Sequence, residues 1–146
     1  MTAHVGHNVI FGDNIIMANG ALLAGHVVVQ DRAFISGHCL VHQFVRVGYL
    51  SLMQGGSKVS KDLPPYTVAM DTNLMCGLNI IGMRRAGLDQ AVRLELKTLY
   101  RRLFRSEKSL REALAAVQPE TCSEPARRML DFVAASGKRG VCADVG

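Results

Sequence analysis

The sequence contains five histidines, and all of them fall within residues 1–42: His4, His7, His26, His38 and His42. The first two lie three positions apart in the stretch AHVGHNVIFG. An imidazole has an ordinary pKa of about 6.5, so near neutral pH it can accept a proton as a general base or bind Zn²⁺ as a neutral ligand. Proton transfer and zinc binding are therefore the two chemistries to consider.

A six-residue repeat determines where these histidines lie. Counting in sixes from Val5, every lead position as far as Val59 is large and apolar. The ten lead residues are Val5, Phe11, Met17, Leu23, Val29, Ile35, Val41, Val47, Met53 and Val59. This period indicates a parallel β-helix. It resembles the hexapeptide repeat of left-handed β-helices, in which three hexads, about 18 residues, form one triangular coil.

Residues one coil apart are expected to lie directly above one another. One coil after His7 comes Gly25, which is followed by His26. Two coils after His7 comes Gln43, which is preceded by His42. The repeat therefore predicts that three imidazoles gather along one edge of the prism. The alternative is that these histidines are scattered polar positions on an exposed surface.

The other residues that commonly bind metals do not point to a metal site. His38 lies two hexads after His26 and so belongs to another side of the prism. The cysteines show no C-x-x-C pair or other metal-ligand spacing: Cys39, Cys76, Cys122 and Cys142. A zinc β-helix resembling the gamma-class carbonic anhydrases stays an alternative, but no histidine triplet has the spacing of that family's ligands. We expect no metal and no cofactor.

Composition limits the class of protein. With 146 residues, 49% of them hydrophobic, the chain is expected to form one domain with a small appendage. The net charge of +5 suggests an acidic partner, such as nucleic acid, an acidic protein or a phosphorylated ligand. Because the sequence shows no signal peptide and no long apolar span, a cytoplasmic protein without membrane insertion is expected.

The repeat ends at the stretch KDLPPY. Pro64 and Pro65 lack backbone donors, so they are not expected within a continuing ladder. Beyond them the apolar residues follow a helical period. We therefore predict a β-helix over residues 1–78 and a helical domain over residues 79–146.

Three helices are predicted in the second half of the chain. Asp89 caps the first, whose apolar residues share one face: Val92, Leu96, Leu99, Leu103 and Phe104. Ser109 and Glu112 form a capping box for the second helix. Ser123 caps the third, which is expected to close near Gly137.

The first of these helices carries a basic stripe at four-residue spacing, which consists of Arg93, Lys97, Arg101 and Arg105. Like charges at this spacing cost a few tenths of a kcal/mol per pair, so helix stability does not explain the stripe. It is either a solvated face, partly neutralised by nearby acids, or a docking surface for an acidic protein. The neighbouring Arg84 and Arg85 favour docking.

Five motifs occur in order between residues 3 and 87: AHVGHN, LAGH, VHQF, DLPPY and GLNIIGMRRAG. On these motifs the sequence resembles the acyl-(acyl-carrier-protein):UDP-N-acetylglucosamine O-acyltransferases. The resemblance implies transfer of a 3-hydroxyacyl chain from acyl carrier protein to the sugar 3-hydroxyl, which is the first step of lipid A biosynthesis. It also implies a homotrimer with its sites between subunits, and no nucleic acid partner.

The resemblance also assigns roles to residues. His7 matches the general base, and the backbone N–H of Gly25 matches the group that stabilises the thioester oxyanion. The positions matching substrate contacts are His4, Asn8, His26, His42, Gln43, Gly55, Asn79 and Arg85, with Gly55 at the acyl-length ruler. Carrier-protein contacts are expected at Arg84, Arg93, Lys97, Arg101 and Arg105.

The sequence departs from that family in three respects, one of which is that Ile81 and Ala86 stand where relatives often carry polar or charged groups. Asn8 stands where many relatives have an aspartate directly after the catalytic histidine. The familiar enzymes also have several more coils before the residue equivalent to His4. Two alternatives therefore stay open, a non-catalytic trimeric β-helix remnant that binds acyl carrier protein and a related amino-sugar N-acyltransferase.

Overall fold

Short strands separated by tight turns form the first part of the chain. The structure is a computed structural model that describes residues 3–146, so residues 1 and 2 of the predicted 1–78 domain lie outside it. The strands β1 to β10 are His4–Val5, Ile10–Phe11, Ile16–Met17, Leu22–Leu23, Val28–Val29, Phe34–Ile35, Leu40–Val41, Arg46–Val47, Leu52–Met53 and Lys58–Val59.

These strands stack into three parallel sheets. Their orders are β1-β4-β7-β10, β2-β5-β8 and β3-β6-β9, and the third sheet continues into later strands. The pairing of His4 with Leu22, and of Leu22 with Leu40, joins residues 18 apart. Three strands therefore make one coil, and the predicted parallel β-helix is confirmed.

The lead residues of the repeat fill the inside of the prism. From Leu23 onward each one is at most 1% exposed, because the coils on either side cover it. Val5 and Phe11 are 39% and 43% exposed. They belong to the first described coil, whose outer side is not covered by other residues of 3–146.

The turns between strands form three corners. The first corner comprises residues 6–9, 24–27 and 42–45, the second comprises 12–15, 30–33 and 48–51, and the third comprises 18–21, 36–39 and 54–57. One residue in each turn has a positive φ: Asn8, His26, Phe44, Asn14, Arg32, Leu50, Gly20, His38 and Gly56. Each corner is therefore a column of equivalent turns that projects side chains outward.

The sheet continues past the two prolines, so the prediction that the ladder ends there is wrong. Strand β11, Thr67–Met70, pairs in parallel with β9 through Val68 and Leu52. The flanking residues make the backbone hydrogen bonds, since Leu63 donates to the Arg46 carbonyl and Tyr66 donates to the Tyr49 carbonyl. The ladder therefore needs no N–H group from Pro64 or Pro65.

Two more strands and four helices complete the described chain. Strand β12, Leu74–Leu78, is antiparallel to β11, and β13, Ala143–Asp144, is parallel to β12. The helices α1 to α4 are Ile80–Arg85, Gln90–Phe104, Leu110–Ala115 and Glu124–Ala134, and a 3₁₀ turn covers Pro119–Thr121. Within residues 3–146, no helix combines the length and apolar character that crossing a bilayer requires.

The three predicted helix caps are confirmed. The side chains of Asp89, Ser109 and Ser123 accept hydrogen bonds from the first turns of α2, α3 and α4. The predicted apolar face of α2 is also confirmed, because Leu96, Leu99 and Leu103 are buried. Helix α1 was not predicted, although its cap, Asn79, accepts from the Gly82 N–H.

Buried side chains link the β-helix to the helical part of the chain. Tyr100 and Cys142 lie in the β-helix core, whereas Leu50 and Tyr66 lie in the core formed by the helices. The division at residue 78 stays a prediction.

Candidate active site

The first corner brings together the histidines that the repeat predicts for one edge. His7 lies in its first turn, His26 in its second and His42 in its third. The His26 N–H donates to the His7 carbonyl at 2.8 Å, and the Phe44 N–H donates to the Gly25 carbonyl at 3.2 Å. Because the coils are joined through their main chains, all three imidazoles remain exposed at the surface.

The Gly25 N–H is a free donor beside His7. It donates to no acceptor within the described part of the chain. Gly6 lies one coil before Ala24, and a Cβ at Gly6 would be 2.8 Å from the Gly25 nitrogen and 2.9 Å from the Ala24 carbonyl carbon. A side chain at Gly6 would therefore clash with the backbone that presents this donor.

An aromatic stack supports the same corner. The His26 and Phe44 rings are nearly parallel, with centroids 4.8 Å apart and 5° between their planes. Both residues have left-handed backbones, at φ 60° and 65°. The two rings therefore project from equivalent positions of neighbouring turns.

A recess of about 300 Å³ opens beside this stack. It is lined by Ala24, Leu40, His42, Gln43 and Arg139. Sequence reasoning missed Arg139, which follows Gln43 by 96 residues and lies outside every motif. No local signal in the sequence connects the two residues.

His4 and Asn8 lie close to His7 in the chain and are exposed. His4 begins β1, in the sheet column of Leu22 and Leu40. Asn8 follows His7 in the turn at φ 58°. Its side chain donates to no imidazole among residues 3–146.

Three other predicted site residues lie away from the first corner, and therefore away from His7, within one chain. Gly55 lies on the third corner, which also carries His38. Asn79 caps α1, and its side-chain amide donates to the carbonyl of Leu50 on the second corner at 3.0 Å. Arg85 is exposed in the last turn of α1, next to Arg84.

The basic stripe divides into paired and unpaired residues. Arg93 donates to the Leu88 carbonyl at 2.6 Å, and Arg105 forms an ion pair with Asp144 at 3.1 Å. Lys97 and Arg101 line a recess of about 190 Å³ and have no carboxylate within 4 Å among residues 3–146. The side chains of these two residues also donate no hydrogen bond to another residue of 3–146.

The carboxyl group of Asp144 is held by three donors, from Tyr100, Arg105 and the Gly146 N–H. Burial by itself raises the pKa of this carboxyl, but the hydrogen bonds and the Arg105 charge outweigh burial and lower it below its usual value. Burial and the bond to Asp144 raise the pKa of Tyr100. This contact ties α2 to β13.

No group of three or more His, Cys, Asp or Glu residues within 3–146 is arranged to hold a metal ion.

The stacked 18-residue coils, each built from three six-residue repeats, and the histidine-bearing corner define a hexapeptide-repeat β-helix protein. A family model described as UDP N-acetylglucosamine O-acyltransferase, domain 2, matches residues 62–142. The chain belongs to the UDP-N-acetylglucosamine O-acyltransferase family.

Similar proteins agree with this assignment. A protein of Sinorhizobium fredii is 40% identical over 141 residues, which cover 95% of this chain and 52% of the relative. One of Gloeothece citriformis is 36% identical over 94% of this chain and 52% of the relative. Both are named acyl-(acyl-carrier-protein)–UDP-N-acetylglucosamine O-acyltransferase. The chain thus spans about half the length of these curated relatives.

Solved structures agree as well. The UDP-N-acetylglucosamine acyltransferase of Francisella novicida superposes with a TM-score of 0.90 and 31% identity, over 99% of this chain and 53% of that one. The enzyme of Campylobacter jejuni gives a TM-score of 0.89 and 34% identity, over 97% and 55%. The predicted fold class is confirmed.

Proposed function

We propose that this chain transfers a 3-hydroxyacyl group from acyl carrier protein to the 3-hydroxyl of UDP-N-acetylglucosamine, the first step of lipid A biosynthesis. The observation that carries the proposal is the register of the first corner, which sets exposed His7 beside the free N–H of Gly25. The names of the relatives supply the substrates.

Two groups in this corner suit the chemistry of acyl transfer. A sugar hydroxyl becomes a good nucleophile when a base removes its proton, and His7 has that role. The hydroxyl oxygen attacks the thioester carbonyl carbon, and the Gly25 N–H stabilises the oxyanion that forms. As the C–S bond breaks, the carrier protein's sulfur takes the proton from the His7 imidazolium.

The remaining contacts are assigned to substrate binding. His4, Asn8, His26, His42 and Gln43 line the sugar-nucleotide side of the corner. Gly55 lies on the third corner and Asn79 and Arg85 lie at α1, so we place all three opposite the first corner of a neighbouring copy in a homotrimer. Light scattering tests this assembly, and a monodisperse monomer at micromolar concentration would contradict it.

Acyl carrier protein is the acidic partner expected at the basic stripe. Lys97 and Arg101 have no carboxylate partner among the described residues, which supports this role, with Arg84, Arg93 and Arg105 at its margin. We place the protein, and therefore the reaction, in the cytoplasm.

The test is mass spectrometry of a reaction that contains the purified chain, 3-hydroxyacyl carrier protein and UDP-N-acetylglucosamine. An acylated sugar nucleotide is expected, and its release by mild base separates an O-ester from an N-acyl product. The second candidate function is a trimeric β-helix that binds the carrier protein without turnover. Carrier-protein binding without product would support it.

A further inference from the structure

The turn that carries Arg139 is anchored on both sides by one residue of the β-helix, Asp62. The Ser136 hydroxyl donates to the Asp62 carboxylate at 3.0 Å. On the other side, the Asp62 N–H donates to the Gly140 carbonyl at 3.1 Å, and its own carbonyl accepts from the Cys142 N–H at 2.9 Å. Because these hydrogen bonds hold the chain before and after Arg139, the backbone position from which its exposed side chain extends is fixed.

From this anchored turn, Arg139 reaches the first corner of the β-helix. Its guanidinium donates to the carbonyl of Gln43 and lies 5.5 Å from the centroid of the Phe44 ring. That distance is within the range of cation–π attraction. Phe44 in turn stacks on His26, so three side chains form a continuous line.

Phe44 requires such support, because its side chain is 54% exposed and its turn has a left-handed backbone. An exposed ring changes rotamer readily unless contacts hold it. Arg139 supplies two contacts to this turn, one to the ring and one to the preceding carbonyl.

We propose that Arg139 is a positioning residue of the candidate active site. It holds the Gln43–Phe44 turn and, through the Phe44 ring, fixes the orientation of the His26 imidazole. The geometric part of this proposal is independent of the reaction, whereas its effect on turnover rests on the proposed function.

Histidine-selective NMR of the intact protein tests the geometry. The His26 ring protons lie over the face of Phe44, so the ring current shifts them upfield. In Arg139→Ala these signals are expected to move downfield, toward their positions in Phe44→Leu. Lys138→Ala, which removes the adjacent cation, should leave them in place, and Arg139→Lys should give an intermediate shift. Unchanged His26 signals in Arg139→Ala, or an equal change in Lys138→Ala, would overturn the proposal.

Steady-state kinetics tests the consequence. Arg139→Ala is expected to raise the KM for UDP-N-acetylglucosamine several-fold with little change in kcat, because His26 is assigned to binding. The KM of the Arg139→Ala/Phe44→Leu double variant should be no higher than that of Phe44→Leu alone, because both substitutions remove the same support of the His26 imidazole. Fully additive effects would contradict the proposal. Absence of product with the parent protein would reject the proposed function, and the NMR shifts would still decide the role of Arg139.

Discussion

The backbone N–H of His26 donates to the carbonyl oxygen of His7 at 2.8 Å, so two imidazole-bearing residues are joined across neighbouring coils. Because the bond connects main-chain atoms, it survives replacement of either side chain. Both imidazoles are exposed, so their removal leaves no cavity. The chemistry of the corner can therefore be tested without dismantling its structure.

Replacing His7 with alanine is expected to lower kcat by about 10²- to 10⁴-fold, the usual contribution of a general base. His4→Ala is the matched control, because His4 is also an exposed imidazole at the start of the β-helix. Its kcat should fall much less. Product formation is measured for both variants, with circular dichroism to check folding. Equal kcat values for His7→Ala and the parent would reject the base assignment.

Gly6→Ala is expected to destabilise the first coils by about 1–3 kcal/mol, because the new Cβ would be too close to the backbone of Ala24 and Gly25. Gly137→Ala is the control, since a Cβ at Gly137 has no atom within 4 Å. Urea denaturation measures both changes. Equal urea midpoints for the two variants would show that the close approach at Gly6 does not affect the free energy of unfolding.

Asp62→Ala is expected to lower the free energy of unfolding by about 3–5 kcal/mol, because it removes the carboxylate that forms an ion pair with Arg46. The two side chains are 7% and 23% exposed, and the carboxylate also accepts from the Arg46 N–H and from Ser136. Denaturation of Asp131→Asn, an exposed aspartate of α4, provides the comparison. A loss below 1 kcal/mol in Asp62→Ala would contradict this account.

The contact between Tyr100 and Asp144 makes stability depend on pH. The pKa of Asp144 is lower in the folded protein than in the unfolded chain, so its contribution is present above the unfolded value, about 4, and is lost as pH falls through the folded value. Asp144→Asn should therefore be less stable than the parent at pH 7. The difference should shrink in urea titrations carried out below pH 4, and a constant difference would contradict the assignment.

Reversing two charges of the stripe, with Lys97→Glu and Arg101→Glu, is expected to weaken acyl carrier protein binding at least tenfold at low salt. Helix content should be unchanged, because both side chains are exposed. Reversal of Arg127 and Arg128 on α4 changes the charge equally at a different surface. Calorimetry compares the two double variants, and equal affinities would identify the stripe as a solvated face.

Features that follow from counting residues were predictable from the sequence. The six-residue period places His7, Gly25 and Gln43 in one column, because each coil has the same length in this region. The caps at Asp89, Ser109 and Ser123 were predictable as well, since a helix cap depends on residues only three positions apart.

Features that depend on distant contacts were not predictable. Arg139 reaches Gln43 across 96 residues, and Ser136 reaches Asp62 across 74. The continuation of the sheet past Pro64 and Pro65 was missed because neighbouring residues make the hydrogen bonds in their place. Strand β13 was not predicted either, because Ala143–Asp144 lies outside the six-residue repeat.

At Phe44, which has a left-handed backbone, the residue that best supports His26 is not the residue that gives the most stable turn. A bulky residue at φ 65° carries strain of about 1–3 kcal/mol, whereas asparagine, which stands at the same turn position in Asn8, adopts this backbone more easily. Phe44→Asn would therefore relax the turn and at the same time remove the ring that supports His26. Selection for heat resistance and selection for a fixed His26 imidazole would favour different residues at this one position.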